Sequence, residues 1–554
     1  MCNLSLDLSN IDLPEGWRRL RRNLDGEPIS ILIAEDGAGT LCLPLDGSGQ
    51  KEIHLGMYVR PKERNFAMQY KLESKRFWRS VRPMRFIDDT KEAVQNGCLG
   101  VHEIQSGDRL LIRTEPVSHA GIAWVKLVEP NALPEPKWQK RNVGVVFDTN
   151  MVMSCFRIEE PDDLLAVMAP YIESDFTHIF WGTGVGTYSP LYFSDALGWH
   201  GQEQKGFMAD HRQRTAGVMR MFAEKKIDPF QLVCDFAHEN GLELWANDRV
   251  SKNHEHDFRD DFQGGRFLLE HQDKRVRMFS GDFHDQATMS FAYPEIREMK
   301  LRCLLEQARY NVDGLYIDFI RKAPIVGWEQ PVVEAFKTKT GHDPYNEPSS
   351  DWKPDWFKHT SEYVTDFMRE LRRELDALEK ETGRRIPVAV QVYGNWRSTD
   401  GIPSSMFDGL DPVTWAKEGL IDILAPKGES DCLWTSEQSL DRFRPLLEGT
   451  GCKIWGPLGN QSRELHRTTK EKAELGSEHA DLDPWRLMRS ACDFYNQGAD
   501  GVYIWEAHEI PSIPQRWEVL SHLGDRQRLN EIFSPKIGAF DASHRIEQKE
   551  VSDE

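Results

Sequence analysis

The sequence contains no run of about 18 consecutive apolar residues, the length that a membrane-spanning helix needs. The N-terminus also lacks the basic stretch followed by an apolar run that is typical of a secretory signal peptide. These two absences predict a protein that is not inserted in a membrane, and they favour a cytoplasmic location. A secreted mature form would show the same N-terminal sequence, so the location stays an expectation.

The sequence has no Cys-x-x-Cys pair, and its nine cysteines are scattered along the chain. An odd, dispersed set of cysteines argues against a disulfide framework and against a structural zinc site. We therefore expect most of the cysteines to be buried thiols. No cofactor is expected from the sequence.

An excess of positive charge is also missing, since 69 Lys and Arg residues stand against 89 Asp and Glu residues, for a formal net charge of -20. Such a surface repels phosphate backbones and disfavours nucleic acid as a partner. Tryptophan, in contrast, is frequent, with 17 residues. Indole rings stack well against sugar faces, although we expect core packing to account for more than half of them.

The length and texture of the chain indicate more than one domain, because 554 residues are too many for one compact core. Residues 1–135 show short apolar alternations broken by Gly, Pro and Asp, which predict an antiparallel β-sandwich. Between residues 136 and 530, short β-like runs alternate with longer amphipathic stretches, among them 294–310 and 361–382. Residues 531–554 are expected to form a C-terminal tail.

The second region contains eight candidate strands, with helix-like segments between most of them. Eight strands alternating with helices predict an α/β fold of the (β/α)8 TIM barrel type. A doubly wound sheet is the alternative, but no Gly-rich phosphate loop follows the first strand. Gly241, Gly419 and Gly498 are expected to end the helices before the third, sixth and eighth strands. The candidate strands are 143–148, 177–182, 242–247, 314–319, 388–393, 421–425, 453–456 and 501–506.

Each candidate strand is followed by a carboxylate, an amide, a His or a Trp, which are side chains that can bind a ligand or take part in catalysis. In a TIM barrel, polar side chains at the C-terminal strand ends face the active site. Planar polar groups can hydrogen-bond vicinal hydroxyls and indoles can cover apolar ring faces, so the mixture predicts a carbohydrate ligand. The candidate sugar-binding residues are Asp148, Trp181, Trp245, Asn247, Asp248, Arg249, His254, Arg321, Gln391, Tyr393, Trp396, Trp455, Trp505 and His508.

Asp318 is the most specific single candidate for a functional residue, because it is one charged residue at the end of an otherwise apolar strand sequence. An ionised carboxylate at such a position is costly unless it is paired or used in function. A structural ion pair with Arg321 is one interpretation, and a catalytic or ligand-binding role is the favoured one. Glu506 ends the last apolar strand in the same way, and Glu429 follows the sixth strand in a Gly- and Ser-containing loop.

A metal site is a weaker alternative in the long segment after the third strand. Imidazole and carboxylate groups there suit Zn²⁺ or Mn²⁺, but a His-x-His pair in a long polar loop is a weak signal. A sugar-contacting or solvated loop is favoured, and no metal is predicted. The residues concerned are His254, Glu255, His256, Asp282, His284 and Asp285.

Four stretches in the middle of the barrel carry a resemblance to a known family. They are residues 237–249, 293–297, 415–426 and, most specifically, 312–321 with the sequence Val-Asp-Gly-Leu-Tyr-Ile-Asp-Phe-Ile-Arg. On these stretches the chain resembles the family 10-like glycosyl hydrolases, a group of bacterial (β/α)8 proteins. The resemblance implies a small β-sandwich accompanying the barrel and hydrolysis of a glycosidic bond.

The segment around Asp318 is also similar to the chitinase motif DGxDxDxE. Asp313, Gly314 and Asp318 match that motif, whereas Tyr316 replaces its middle Asp and Ile320 replaces its catalytic Glu. A chitinase-type, substrate-assisted mechanism with its acid on this strand is therefore disfavoured. An acid, if one is present, must come from another strand.

The sequence thus predicts a glycoside hydrolase that uses two carboxyl groups. Asp318 is the predicted nucleophile or base, and Glu506, then Glu429, is the preferred acid. A lyase or isomerase, with or without a metal, is one alternative, and a carbohydrate-binding barrel without catalysis is the other. A carbohydrate is the expected partner, and the sequence leaves a homo-oligomer open.

Overall fold

A computed structural model describes most of the chain between residues 4 and 533. The described residues are 4–6, 8–24, 26–60, 66–84, 92–130, 138–186, 188–202, 210–250, 261–285, 287–320, 324–394, 404–427, 440–459, 461–463, 479–481, 484–505 and 507–533.

The N-terminal region consists of two antiparallel sheets, as the alternating sequence predicts. One sheet has the strand order β2-β3-β10-β5-β8 with β1 paired to β10, and the other has the order β4-β9-β6-β7. Leu32, Leu55, Leu43 and Ile112 belong to the buried core of this sandwich. The strands are β1 Leu4–Ser5, β2 Trp17–Leu24, β3 Glu27–Ala34, β4 Leu41–Pro44, β5 Gly49–Val59, β6 Met68–Leu72, β7 Arg79–Val81, β8 Ala93–Ile104, β9 Arg109–Thr114 and β10 Ala120–Val128.

The second region is a closed barrel of eight parallel strands in the order β11-β12-β15-β16-β17-β18-β19-β22. All eight predicted strands are confirmed, with ends that differ from the prediction by no more than two residues. Two short hairpins, β13–β14 and β20–β21, lie outside the barrel. The strands are β11 Arg141–Phe147, β12 Phe176–Gly182, β13 Gly184–Gly186, β14 Ser189–Pro190, β15 Glu243–Arg249, β16 Gly314–Asp318, β17 Val388–Tyr393, β18 Ile423–Lys427, β19 Lys453–Leu458, β20 Gln461–Arg463, β21 His479–Asp481 and β22 Gly501–Ile504.

Helices connect the barrel strands. The helix predicted at 361–382 begins earlier, at Ser349, and Pro354 lies within it. Gly241, Gly419 and Gly498 have φ values of 70°, 70° and 83°, as expected for helix ends. Within the described residues, no helix combines the length and apolar character needed to cross a membrane. The helices are Thr149–Cys155, Pro161–Ala166, Ala169–Ile172, Asp210–Lys225, Pro229–Glu239, Asp261–Glu270, Pro294–Arg309, Gln330–Thr340, Ser349–Thr382, Ser404–Phe407, Pro412–Lys417, Arg444–Leu447, Pro484–Asn496, Pro514–Leu520 and Arg526–Phe533.

The alternation of side chains along each barrel strand separates two cores. Residues of one phase pack inside the barrel, and residues of the other phase pack between the strands and the surrounding helices. Two glycines make room for the inner aromatic rings, because a Cβ at Gly144 would lie 2.4 Å from Phe180 and one at Gly314 would lie 2.4 Å from Trp245. The inner cluster comprises Val146, Phe180, Trp245, Tyr316, Ala389, Ile423, Ala425, Trp455, Tyr503 and Trp505.

The sandwich contacts the barrel through buried polar groups. Arg113 on β9 donates to Asp163 at the start of a barrel helix (2.8 Å), and both side chains are only 7% exposed. The carboxylate of Glu115 accepts from the backbone N–H of Arg157 (2.6 Å). Arg82 donates to Glu509 (3.1 Å) after the last barrel strand. The predicted division at residue 135 falls between β10, which ends at Val128, and β11, which begins at Arg141.

Candidate active site at the mouth of the barrel

The inward phase of the strands brings polar side chains together at the C-terminal mouth of the barrel. Such a clustering follows from parallel strands, whose carboxyl ends all meet at one end of a barrel. Seven of these side chains are buried and Tyr393 is half-buried. The set comprises Asp148, Asn247, Arg249, Asp318, Gln391, Tyr393, Lys427 and Trp505.

Asp318 lies at the end of β16 and its side chain is fully buried. Its Oδ1 accepts hydrogen bonds from the backbone N–H of Ile320 (2.9 Å) and from Nε2 of Gln391 (3.3 Å). Its Oδ2 lies 3.5 Å from Nε of Arg249. The carboxylate is therefore fixed in orientation, and its negative charge faces a guanidinium.

Arg249 joins Asp318 to a second carboxylate. One guanidinium nitrogen donates to Oδ2 of Asp148 (3.1 Å), and both of these side chains are 8% exposed. The other oxygen of Asp148 accepts from the backbone N–H of Met151, so Asp148 also caps the helix Thr149–Cys155. Asp148 is thus held from two sides, which suits a positioning role.

Trp505 forms one wall of the mouth. The Nζ of Lys427 lies 3.2 Å from the centre of its ring, and the guanidinium of Arg249 lies 5.1 Å from it. Both cations face the π-system of a ring that is only 3% exposed. Lys427 ends β18 in the same inward phase as Ala425.

Gln391, which pairs in register with Asp318 on the neighbouring strand, extends the hydrogen-bond network. Its Oε1 accepts a hydrogen bond from the hydroxyl of Tyr316, the residue that stands in place of the chitinase motif's middle Asp. Burial raises the pKa of Tyr316 and of neighbouring Tyr503 well above the usual value, so both hydroxyls stay neutral donors. Ile320, in place of the chitinase Glu, is fully buried, and its backbone N–H donates to Asp318.

Asn247 carries a buried amide that makes no hydrogen bond within the described residues. It is 1% exposed, and neither its Oδ1 nor its Nδ2 has a partner there. It lies on β15 in the same phase as Arg249, opposite Tyr316 on β16. A buried amide of this kind is costly unless a ligand, a water or a group outside the described residues completes its bonding.

Two of the predicted sugar-binding residues face away from the mouth, and those predictions are corrected. Trp181 packs against Phe147 (ring centres 5.3 Å apart) in the core between strands and helices. Asp248 accepts from Nζ of Lys300 and from Nε2 of Gln307, each at 2.9 Å. The sequence showed that these residues lie near strand ends but not which side of the barrel they face.

Two further predicted residues, Trp245 and Trp455, face inward but lie deeper in the barrel. Trp245 pairs in register with Gly314, the first residue of β16, whereas Asp318 is the last. The imidazole of His178 lies between the two indoles, with ring centres 5.8 Å from Trp245 and 4.7 Å from Trp455. Both indoles fill the barrel interior below the mouth, where a ring contributes packing rather than a surface for sugar.

His508 and the loop carboxylates have local partners. His508 is 7% exposed and its ring lies 6.2 Å from Phe156, beyond the end of β22. Asp285 accepts from the backbone of its own loop at Ala287 and Thr288. His284 contacts the sulfur of Met278 (3.3 Å). Asp285 and His284 thus each have a contact within their own loop.

Several predicted residues lie outside the described residues and stay predictions. Both candidates for the acid belong to this group. The predicted residues outside the described part of the chain are Glu506, Glu429, His254, Glu255, His256, Arg321 and Trp396.

Lys427 is the mouth residue that the sequence prediction missed. Its signal is the alternation of β18, in which Ile423 and Ala425 face inward, so that the next inward position is Lys427. A charged residue in that phase, at the end of an apolar strand, is the same signal that identified Asp318.

A search of solved structures finds similarity to several proteins. The α-L-fucosidase isoenzyme 2 from Paenibacillus thiaminolyticus is 13% identical, with a TM-score of 0.42 over 71% of this chain and 49% of the fucosidase. A β-galactosidase from Marinomonas ef1 is 12% identical, with a TM-score of 0.40 over 66% of this chain and 54% of the galactosidase. The chain thus spans about half the length of these two structures.

The PgaB (BpsB) glycoside hydrolase domain from Bordetella bronchiseptica is 13% identical, with a TM-score of 0.42 over 70% of this chain and 99% of that domain. The comparison with curated proteins gives no match. The sequence pattern of the glycosyl hydrolase-like 10 family matches residues 209–442, which include β15 to β18. This match confirms the predicted family resemblance for the middle of the TIM barrel, the segment that carries Arg249, Asp318, Gln391 and Lys427.

Proposed function

We propose that this barrel hydrolyses a glycosidic bond of an oligo- or polysaccharide at the mouth formed by β11 to β22. The observation that carries the proposal is the buried carboxylate of Asp318, which ends an inward-facing strand and is oriented by Ile320, Gln391 and Arg249. A carboxylate held in this way suits a nucleophile or a base, because the reaction needs one fixed oxygen beside the anomeric carbon.

Arg249 supports the ionised form that this role requires. Its guanidinium lies between Asp318 and Asp148 and offsets part of the cost of burying two negative charges. Asn247 supplies an amide that can hydrogen-bond a sugar hydroxyl, and the ring of Trp505 lies beside Arg249 and Lys427 at the same end of the barrel. These groups support a polyhydroxylated ligand at the mouth.

The second carboxyl group of the mechanism is assigned to Glu506, with Glu429 as the next candidate. In the sequence, Glu506 directly follows Trp505 and Glu429 comes two positions after Lys427, and both glutamates lie outside the described residues. Asp148 is the other carboxylate at the mouth within the described part of the chain, and its helix cap and its pair with Arg249 favour positioning over proton donation.

The test is product release from aryl glycosides and natural oligosaccharides, with and without EDTA. We expect release that EDTA does not affect, and that Asp318→Asn and Glu506→Gln each reduce by at least about 100-fold. If Glu429→Gln abolishes release and Glu506→Gln does not, the acid is Glu429. Full activity in Asp318→Asn would refute the proposal, and loss with EDTA alone would favour a metal-dependent lyase or isomerase.

A carbohydrate-binding barrel without catalysis is the second candidate. It is favoured by Ile320, an aliphatic residue where the chitinase motif places its acid. Sugar binding that raises the melting temperature without product release, in the wild type and in Asp318→Asn alike, would select this function over hydrolysis.

A further inference from the structure

A cluster of three different metal-ligating side chains lies in the sandwich, away from the barrel mouth. Glu52 and His54 come from β5 and Cys98 comes from β8. One ligand atom from each residue lies within 4.8 Å of the others. The thiol of Cys98 donates to Oε1 of Glu52 (3.0 Å), and Nε2 of His54 lies 3.3 Å from the same oxygen.

The strand geometry explains why these residues meet. Glu52 and His54 are two residues apart on β5, so their side chains share a face of the sheet. Cys98 is the direct partner of His54 across the β5–β8 ladder. The ladder shifts register between Glu52 and His54, and such an irregularity re-aims the side chains beside it.

The distances fit a tetrahedral ion. Zinc bonds of about 2.3 Å to sulfur and 2.0–2.2 Å to nitrogen or oxygen place neighbouring ligand atoms about 3.4–3.6 Å apart. The 3.3 Å between Nε2 of His54 and Oε1 of Glu52 is close to that spacing, and the 3.0 Å between Sγ of Cys98 and the same oxygen is about 0.5 Å shorter than it. Small rotations of the half-buried side chains are enough to admit an ion.

The hydrogen bond on the far side of His54 is an independent observation that points to a metal. Its Nδ1 lies 3.2 Å from Oδ1 of Asn96, a residue of β8. With Nδ1 directed at Asn96, the Nε2 atom of His54 is directed at an oxygen of Glu52. A metal ion between these two atoms would bind both, and metal-ligating histidines commonly have a hydrogen-bond partner such as Asn96 on the other nitrogen.

We propose that Glu52, His54 and Cys98 together bind one Zn²⁺ ion or a divalent metal ion with similar ligand preferences. A thiolate, an imidazole and a carboxylate together suit Zn²⁺, and three protein ligands leave a fourth position for water. Binding forms the Zn–S bond as the Cys98 thiol releases its proton to solvent.

The proposed ion would cross-link the edge strand of one sandwich sheet to the neighbouring strand. β8 is the edge strand of the six-stranded sheet, and the ion links it to β5. The same strand contacts the barrel, since the backbone carbonyl of Asn96 accepts from Gln515 in the helix Pro514–Leu520. Metal binding is therefore expected to stabilise the sandwich next to its contact with the barrel.

The test is titration of the metal-free full chain with Co²⁺, followed by Zn²⁺ competition. We expect one equivalent of Co²⁺ with a thiolate charge-transfer band, displacement by Zn²⁺, and a rise in melting temperature with Zn²⁺. Cys98→Ser and His54→Ala are expected to lose the band and the rise, and Asn96→Ala to weaken binding by about 10- to 100-fold. Cys42→Ser, which removes an exposed cysteine elsewhere in the sandwich, is the matched control and should behave as wild type.

The melting temperature of each variant in EDTA shows whether it is folded, and Cys98→Ala replaces Cys98→Ser if the latter is not. No saturable Co²⁺ binding in the wild type, or unchanged binding in Cys98→Ser and His54→Ala, would overturn the proposal. Binding that is lost only in His254→Ala would move the ion to the loop after β15 and would equally overturn it.

Discussion

Arg249 lies between two buried carboxylates, and its positive charge offsets part of their negative charge. It contacts Asp318 at 3.5 Å and Asp148 at 3.1 Å. Removing one partner of a buried ion pair leaves the other charge without compensation, which costs about 3–5 kcal/mol.

We therefore predict that Arg249→Met lowers the free energy of unfolding by about 3 kcal/mol or more and abolishes sugar turnover. Urea unfolding followed by fluorescence, together with the glycoside assay, measures both effects. Arg249→Lys keeps a charge but not the two-sided contact, and it should recover part of the stability. A stable and active Arg249→Met variant would show that the guanidinium does not hold the site.

Glu115 is a second buried carboxylate, at the contact between sandwich and barrel. Burial raises its pKa from 4.5 to about 7, against the opposing effect of hydrogen bonds from Ser80 and Arg157. Between pH 4.5 and 7 the folded chain therefore binds more protons than the unfolded chain, so stability falls as pH rises through that window.

The variant Glu115→Gln, which resembles the neutral acid, should remove this pH dependence. We expect it to match the wild type below pH 4.5 and to be more stable above pH 7, by up to about 3 kcal/mol. Denaturant unfolding at pH 4, 5.5 and 7.5 tests this. Parallel pH profiles for wild type and variant would contradict the assigned pKa.

At the scale of the strand, the side-chain alternation of β15 predicts opposite effects at adjacent residues. Asn247 faces the mouth with an amide that has no partner in the described part of the chain, and Asp248 faces the helix Pro294–Arg309 through Lys300. Asn247→Leu should keep or raise stability and weaken sugar binding. Asp248→Asn should cost about 3 kcal/mol of stability but leave kcat of the folded enzyme unchanged.

Melting temperatures and Michaelis parameters of these two variants provide the comparison. If Asp248→Asn lowers kcat while Asn247→Leu leaves sugar binding unchanged, the inward and outward assignment of β15 is wrong.

The inner glycines give a further prediction at this scale. At Gly314, an added Cβ would meet the ring of Trp245 at 2.4 Å. Gly314→Ala is expected to destabilise the barrel by about 1–3 kcal/mol, because the indole cannot move away inside a packed interior. Thermal unfolding measures this cost, and Gly217→Ala is the control, because an added Cβ there meets no other part of the described chain within 4 Å outside its own helix backbone and its chain neighbours.

The positions of the barrel strands could be predicted from the sequence. Apolar runs and their spacing predicted all eight barrel strands, because a buried parallel strand must be apolar on both faces. The same property hides the direction of each side chain, which is why Trp181 and Asp248 were grouped with Asn247 and Asp318. The depth of Trp245 and Trp455 depends on the stagger of the strands, which sequence spacing does not contain.

At the scale of the whole molecule, long-range contacts were beyond the sequence patterns. The proposed metal ligands lie on two strands more than 40 positions apart, so the absence of a Cys-x-x-Cys pair gave no information about them. Arg249 was predicted as a sugar-binding residue, whereas its contacts with Asp148 and Asp318 depend on barrel closure.

The measurement that tests the central claim most directly compares Asp318→Asn with Asp248→Asn, at equal folded concentration, on the same glycoside panel. Asp318 and Asp248 are carboxylates at the ends of neighbouring strands, one facing the mouth and the other facing the helices. We predict that Asp318→Asn loses product release while Asp248→Asn retains the wild-type rate. Equal rates in the two variants would contradict the assignment of the mouth as the site of glycoside hydrolysis.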